Sequence, residues 1–210
     1  MGYGEMREFL ESHNATLLSI YGQSPGFLRE HYGIEQTVLA GGYGYRQILE
    51  LVQNGADAII EAHQDGEPFG EQHRIHVLLR GEYLYVANTG APFSKEGLEA
   101  LLFSHVSPKR GNQIGRFGLG FKSLLRLGGR IDLFTKSTGA IRFDPDRCRN
   151  ELKARFDVAD APGLRLAWPL EETERSEDSV IGQLSWAETI VRVEIQKPGD
   201  LEYLRKEIRE

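Results

Sequence analysis

A glycine-rich segment that runs directly into an apolar, helix-like stretch constrains this chain more than any other feature. Residues 113–123 read QIGRFGLGFKS, in which Gly115, Gly118 and Gly120 form a G-x-x-G-x-G pattern. Glycine admits positive φ and lets a ligand approach bare backbone N–H groups. Because the first turn of a helix adds unpaired N–H groups and the positive end of the helix dipole, the combination is typical of a phosphate-binding loop. A tight turn without a ligand explains the same pattern.

The charge distribution favours an anionic ligand for that loop. The formal net charge is −6, which argues weakly against a general nucleic-acid surface. The interval between Glu99 and Asp132 contains no acidic residue and carries +6, so the remainder of the chain carries −12. Such a basic island suits a small polyanion such as a nucleoside triphosphate, and a solvated basic face is the alternative. Its basic residues are Lys109, Arg110, Arg116, Lys122, Arg126 and Arg130.

Length and composition indicate a globular protein with one domain, or one domain and an appendage. The chain has 210 residues, of which 40% are hydrophobic and 27% charged. No apolar run approaches the roughly 18 residues that a membrane span needs. The first residues lack the basic and apolar regions of a secretory signal, so we predict a cytoplasmic location. The lone Cys148 fits a reducing compartment and is interpreted as an inert thiol.

The order of predicted elements is that of an α+β fold, because helices and hairpins do not alternate as βαβ units. Two hairpins are predicted, around Gly81-Glu82 and around Ser137-Thr138-Gly139, and Ser94 is predicted to cap a helix. The predicted helices cover residues 5–21, 45–63, 95–103, 121–127 and 200–210. The predicted strands cover residues 74–79, 83–87, 130–136, 140–143, 164–168 and 189–195.

The helix predicted over residues 45–63 carries a polar stripe. Four polar residues at intervals of four, three and four fall on one helix face: Glu50, Asn54, Asp57 and Glu61. A solvent-facing stripe opposite a buried apolar side is the ordinary interpretation. The predicted buried side consists of Ile48, Leu51, Val52, Ile59 and Ile60.

Two properties of this stripe favour a functional interpretation instead. Asn54-Gly55 is a poor helix-forming pair, in which the glycine alone costs about 1 kcal/mol, and the small residues beside it suggest close packing. A glutamate can accept a proton from water, and an asparagine can offer a neutral oxygen to Mg²⁺. Glu50 and Asn54, one helical turn apart, therefore also suit metal-assisted hydrolysis.

A third element, Val86-Ala87-Asn88-Thr89-Gly90, ends the second predicted strand. Asn and Thr before Gly form a turn by default. An asparagine side chain can also accept a hydrogen bond from the exocyclic amine of adenine and donate one to a ring nitrogen. The element is therefore a candidate for base recognition.

Taken in order, three segments resemble the nucleotide-binding boxes of the GHKL ATPases, the superfamily of gyrase, the ninety-kilodalton heat-shock chaperones, histidine kinases and MutL. They are ELVQNGADA at residues 50–58, VANTGAPF at 86–93 and IGRFGLGFKSL at 114–124. Together with the run GGYGYRQILELVQNGADA at 41–58, they are most similar to the sacsin-type, chaperone-like ATP-binding domain. The resemblance covers about residues 40–145. It implies a Bergerat fold, a two-layer α/β sandwich with a mixed, mostly antiparallel sheet and helices on one face, which holds ATP between the layers.

The resemblance also implies roles for individual residues. Glu50 matches the general base, Asn54 the Mg²⁺ ligand, and Asp57 a polar pocket residue. Asn88 takes the place of the adenine-binding aspartate, and Gly90 permits close approach to the base. Lys109 is assigned to the phosphates from its charge and its place in the expected lid. The phosphate-binding end of that lid matches Gly115, Arg116, Phe117, Gly118, Leu119, Gly120, Phe121 and Lys122.

Three departures from the family pattern concern base recognition. Asn88 replaces the aspartate, so a carboxamide replaces a carboxylate. Pro92 and Phe93 replace the usual Gly and Met, and Phe93 either stacks on the base or belongs to the core. A later strand of the chaperones carries a Gly-Thr step whose threonine helps to bind the base. Gly163-Leu164 is expected at that place, which would leave the hydroxyl missing.

These features predict an ATP- and Mg²⁺-binding domain that hydrolyses ATP slowly, with lid closure and an ATP-dependent homodimer acting on further domains. We expect a helical segment at 1–40, the ATP-binding domain at 41–198, and a helix at 199–210 that leads to further domains of a longer protein. A nucleotide-gated binding module without significant hydrolysis is the alternative. A histidine kinase ranks lower, because QNGADA resembles the chaperone type and no histidine lies in a dimerisation helix. Direct binding to nucleic acid or membrane is not expected.

Overall fold

The computed structural model describes residues 2–40, 46–66, 68, 70–103, 119–137 and 139–208. Within these ranges the fold is α+β. The helices are α1 (Tyr3–Gln23), α2 (Pro25–Ala40), α3 (Gln47–Gln64), α4 (Lys95–Phe103), α5 (Leu119–Lys122), α6 (Pro145–Phe156), α7 (Glu172–Ser176), α8 (Ser179–Gln183) and α9 (Pro198–Glu207). A 3-10 turn, Ser123–Leu127, continues α5. No helix within the described ranges is long and apolar enough to cross a membrane.

Six strands form a single sheet with the order β1-β2-β6-β3-β4-β5. They are β1 (Ile75–Arg80), β2 (Tyr83–Asn88), β3 (Gly128–Thr135), β4 (Gly139–Phe143), β5 (Trp168–Leu170) and β6 (Thr189–Ile195). Every pair of neighbouring strands is antiparallel. The sheet is thus antiparallel throughout its described strands and not mixed. Insertion of β6 between β2 and β3 brings the two predicted hairpins into one sheet.

The main core lies between one face of this sheet and the helices. Alternate residues of the central strands point into it, among them Leu84 and Val86 of β2 and Leu133 of β3. Met6 and Leu10 of α1 join the same cluster, so the N-terminal helical segment packs on the sheet-bearing part of the chain. A further cluster joins α1, α2 and α6. There the Cys148 thiol donates to the Pro162 carbonyl at 3.3 Å, and burial raises its pKa to about 12, in agreement with an inert thiol.

The second face of the sheet is also covered, which differs from the prediction of helices on one face. Tyr85 and Ala87 of β2 and Phe134 of β3 point to this side and pack against the segment that contains α7 and α8. Charged groups fix that segment. Arg192 donates to Asp132 at 2.6 Å and to Asp178, the N-cap of α8, at 2.6 Å. Because both alternating sets of strand residues are apolar, both faces of the sheet must be shielded from solvent by other parts of the chain.

Most predicted elements are confirmed within a few residues, including both hairpins and the helix capped by Ser94, whose Oγ accepts from the Gly97 N–H at 3.1 Å. The strand predicted at 164–168 is wrong. Residues 161–167 form a buried, irregular segment, and β5 begins only at Trp168. The helices α6, α7 and α8 were not predicted, and α2 was covered only by the expectation of a helical segment at 1–40. Of the predicted buried side of α3, Leu51 is buried and Val52, Ile59 and Ile60 are half-buried.

Candidate functional site

A cavity of about 630 Å³ lies between α3, α4 and the sheet. Its size falls in the range of small-molecule sites. Apolar side chains from the helices, from the segment before α4 and from the sheet line it: Leu51, Val86, Phe93, Leu101, Phe121, Leu133 and Val191. Polar residues reach it from α3 and from the ends of β2 and β6. The cavity therefore combines an apolar body with a few convergent polar groups, as a ligand site does.

The polar stripe of α3 borders this cavity and not only solvent. Asn54, Asp57 and Glu61 all line it, and Gln64 and Asp65 continue the stripe toward the end of the helix. The side chain of Asp57 is 1% exposed, which a solvent-facing stripe does not explain. The ordinary interpretation of the stripe is thus wrong for Asp57.

The close approach of α3 to β2 depends on two glycines. Gly55 of α3 faces β2, since a Cβ built there would lie 3.0 Å from Cβ of Asn88. Gly90 has φ +113°, and a Cβ built there would lie 2.6 Å from the backbone of Ala58. The Ala91 N–H donates to the Ala58 carbonyl at 2.8 Å. Gly55, unfavourable within a helix, is thereby explained as a packing requirement.

Asn88 ends β2 at the cavity wall and is 7% exposed. Its Nδ2 donates to the Thr89 carbonyl at 2.9 Å, which leaves Oδ1 as the acceptor end of the carboxamide. Thr89 in turn accepts from the Arg74 N–H at 2.9 Å through Oγ1. The turn after β2 is therefore held by side-chain hydrogen bonds.

Thr189 is a cavity residue that the sequence reasoning missed. It begins β6 directly opposite Asn88 and is 8% exposed. Gly163 and Leu164, expected at the place of the family's Gly-Thr step, instead donate their N–H groups to Glu35 and do not line the cavity. A threonine hydroxyl beside Asn88 is therefore present. The predicted start of a strand at residue 189 was the signal that could have identified it.

Two aromatic residues line the cavity. Phe93 lines it and also packs on α4, where a Cβ at Gly97 would lie 3.2 Å from Cε2 of Phe93. It belongs to both the cavity and the core, so the two alternatives for Phe93 are compatible. Phe121 of α5 also lines the cavity and contacts Phe143 edge-on, with ring centroids 5.1 Å apart.

Glu50 occupies the first turn of α3, one turn before Asn54. It is half-buried and is not among the residues that line the cavity. Lys122 is fully buried and does not line the cavity either. Leu119 and Gly120 form the first turn of α5. The remaining residues predicted for the phosphates lie outside the described residues: Lys109, Gly115, Arg116, Phe117 and Gly118.

The charged side chains that line the described cavity are all acidic. Glu61 and Asp65, one helical turn apart at the end of α3, and Glu96 at the start of α4 are its exposed members. Hydrogen bonds from its own backbone N–H and from Ser94 hold the pKa of Glu96 below its ordinary value. A polyanionic group is therefore disfavoured beside the end of α3.

Among the described residues, no group of three or more His, Cys, Asp or Glu side chains is placed to hold a metal ion. Asn54 lines the cavity, and its carboxamide oxygen is of the kind that Mg²⁺ takes as a ligand. The donors and acceptors of Asn88 and Thr189 fit a nucleobase edge. Neither a scan against models of known protein families nor a search of curated proteins gave a match for this chain.

Proposed function

We propose that this chain binds ATP with Mg²⁺ in the cavity between α3 and the sheet, in a Bergerat-type fold of the GHKL class, and hydrolyses it slowly. The observation that carries the proposal is convergence. Asn54 and Asp57, Asn88 and Gly90, and Phe121 come from three segments far apart in the sequence, yet they border or shape one cavity. If the stripe of α3, the turn after β2 and the start of α5 had only separate structural roles, we would not expect all three to border the same cavity.

The base end of the cavity suits adenine. Oδ1 of Asn88 can accept from an exocyclic amine, and the hydroxyl of Thr189 can donate or accept beside it. Gly90 lets the backbone approach closely, and Phe93 offers a face for stacking. Repulsion from Glu61 and Asp65 at the end of α3 then directs the triphosphate toward Asn54 and the beginning of α3.

At that end Asn54 would hold Mg²⁺ through its carboxamide oxygen, and Glu50 would accept the proton of the attacking water. Bound Mg²⁺ neutralises charge on the phosphate oxygens and orients the scissile bond. Lid closure, an ATP-dependent homodimer and action on further domains remain part of the proposal.

A binding module without significant hydrolysis is favoured by one observation, the position of Glu50. Because Glu50 does not line the cavity, its carboxylate must reorient to reach a water beside the terminal phosphate. ATP binding without turnover is the expected behaviour if that reorientation does not occur.

Parallel measurement of Mg-ATP affinity by calorimetry and of phosphate release separates these functions. We expect Glu50→Ala to keep the affinity and to lower release by about 10²–10⁴-fold, the usual contribution of a general base. Glu202→Ala, an exposed glutamate of α9, is the matched control and should change neither quantity. Turnover that survives in Glu50→Ala excludes Glu50 as the base. Binding without release by the wild type supports the module, and absence of ATP binding refutes the proposal as a whole.

A further inference from the structure

The two edges of the sheet differ in how well they are protected. Edge strands expose unpaired backbone groups that can pair with another chain, so proteins usually shorten or cover them. The edge strand β5 has only three residues, includes Pro169, and has its Leu170 carbonyl accept from the Tyr3 hydroxyl of α1 at 3.3 Å. At the opposite edge, β1 has six residues and no proline. The β1 edge is therefore the longer one and has no residue that blocks pairing.

The register of β1 on β2 determines which backbone groups of β1 point outward. The Thr89 N–H donates to the Arg74 carbonyl at 3.1 Å, so this pair, which continues the β1–β2 register, is a hydrogen-bonded pair. Such pairs alternate along an antiparallel ladder, so the even-numbered residues of β1 bond to β2. The odd-numbered residues direct their N–H and C=O groups away from the sheet. These outward residues are Ile75, Val77 and Leu79.

Most of these outward groups have no partner in the part of the chain that the structure describes. None of the three outward N–H groups donates to a described residue, and no described segment pairs with β1 on this side. Of the outward carbonyls, that of Leu79 accepts from Nη1 of Arg80 at 3.0 Å. A strand added along β1 would therefore find donors and acceptors at the spacing of a regular ladder.

The side chains of β1 indicate which partner strand would fit. Those of the outward residues are half-buried and pack at the border of the main core. The side chains between them lie on the second face, where Arg74 stacks over Trp186, 3.9 Å from the ring centroid, and His76 contacts the same ring edge-on. Arg74 and Arg80 are exposed, and residues 72–80 contain no acidic residue. An added strand would thus meet apolar side chains on one face and two arginines on the other.

A second copy of this chain fits the β1 edge poorly. If two β1 strands paired antiparallel at full overlap, with Val77 opposite its own counterpart, Arg74 would lie opposite Arg80 at both ends of the pair. Like charges directly opposite each other destabilise a strand pair, whereas opposite charges stabilise it. The charge of this edge therefore favours a partner strand with acidic residues at these positions.

We propose that the β1 edge is a docking site for an extended segment of a partner protein in which apolar residues alternate with acidic ones. The segment adds to the sheet beside β1, and its backbone bonds to the outward groups of that strand. Its apolar side chains extend the border of the main core, and its carboxylates face Arg74 and Arg80. Nucleotide takes no part in this interaction, which is therefore independent of the proposed function.

The test uses the whole chain without nucleotide and a capped seven-residue peptide in which glutamate and valine alternate, with glutamate at both ends. The control peptide has lysine in place of each glutamate. We expect the glutamate peptide near saturation to slow amide exchange of Val77 and Leu79 by about tenfold or more, and to leave His76 and Leu78, which already bond to β2, unchanged. At low salt it should bind about fourfold or more tightly than the lysine peptide, because two favourable pairs replace two repulsive ones.

Variants separate the contribution of the backbone from that of charge. Val77→Pro removes an outward donor without removing a bond to β2, so it should abolish binding, and Val77→Ala, which keeps the N–H, should retain it. Arg74→Glu combined with Arg80→Glu should reverse the preference, so that the lysine peptide binds more tightly. Arg205→Glu combined with Lys206→Glu makes the same charge change at exposed positions of α9 and should leave the preference unchanged.

If Val77→Pro does not fold, the charge-reversed variant and the exchange measurement on the wild-type protein still decide. Equal binding of the two peptides, or unchanged exchange at Val77 and Leu79, would overturn the proposal. It would also be overturned if these two amides exchanged as slowly as those of His76 and Leu78 in the protein alone, because another part of the chain would then cover the edge. Slow exchange that appears only at high protein concentration would assign the edge to a second copy instead.

Discussion

Replacing Gly90 by alanine tests the geometry on which the cavity depends. Gly90 has φ +113°, a conformation that costs an alanine about 1–3 kcal/mol. The new methyl group would also lie 2.6 Å from the Ala58 carbonyl carbon and oxygen and from the Ile59 nitrogen. These are backbone atoms of α3, so no side-chain rotation relieves the contact. Overpacking of this kind adds about 1–3 kcal/mol, for a total loss of about 2–6 kcal/mol.

Gly66→Ala is the matched control for this substitution. Gly66 has φ +101°, and a Cβ built there meets nothing within 4 Å. The control therefore bears the backbone strain without the collision. We expect Gly90→Ala to be less stable than Gly66→Ala by about 1–3 kcal/mol in urea unfolding. Because relief of the collision requires α3 to move from β2, Gly90→Ala should also lose ATP affinity, and Gly66→Ala should keep it.

Equal destabilisation of the two variants would refute this reasoning. It would mean that only the backbone conformation of Gly90 matters and that α3 is free to shift. A stable Gly90→Ala protein with unchanged ATP affinity would show in addition that ATP binding does not depend on the close approach of α3 to β2.

Two further predictions concern buried charges. Asp132→Ala removes the acceptor that Arg142, at 2.7 Å, and Arg192 share, so we expect it to lower the free energy of unfolding in urea by about 3–5 kcal/mol. Glu171→Ala, which breaks the exposed pair with Arg7, is the control and should lower it by less than about 1 kcal/mol. Equal losses in the two variants would contradict this prediction. Without nucleotide, the free energy of unfolding should rise with pH between about 7 and 8.5 by at most about 1.4 kcal/mol per unit, because the unfolded chain keeps a proton on Lys122 that the folded chain has lost. Above that range the unfolded chain loses the Cys148 proton that the folded chain keeps, which offsets the rise. A rise of the same size in Lys122→Met would contradict this.

Local patterns predicted the elements that position the site. Alternation of apolar residues gave β1, β2 and their turn, and the 3.6-residue period gave α3 with Asn54 and Asp57 on one face. Ser94 identified the start of α4 correctly because a capping side chain acts within one turn. These predictions succeed because each depends on contacts between residues close in sequence.

Failures concentrate where distant parts of the chain decide the structure. The apolar run at 164–168 has the composition of a strand, but Glu35, far away in sequence, satisfies the N–H groups of Gly163 and Leu164 and so replaces a neighbouring strand. Thr189 became a cavity residue only through its pairing with Asn88. The helix α6, which was not predicted, is an exception, because its start could have been identified from local sequence: Asp144 caps it and Pro145 occupies its first turn.

The charge of the cavity limits how this chain can bind a polyanion. Asp57, Glu61, Asp65 and Glu96 line it, so a nucleotide held by its base alone would meet net repulsion at its phosphates. Favourable charge must come from a divalent cation and from the basic island between Glu99 and Asp132. Affinity should therefore divide into two parts: a base contribution shared by adenosine and ATP, and a phosphate contribution that weakens with salt and without Mg²⁺. Tighter binding of adenosine than of Mg-ATP would mean that the basic island does not face this cavity.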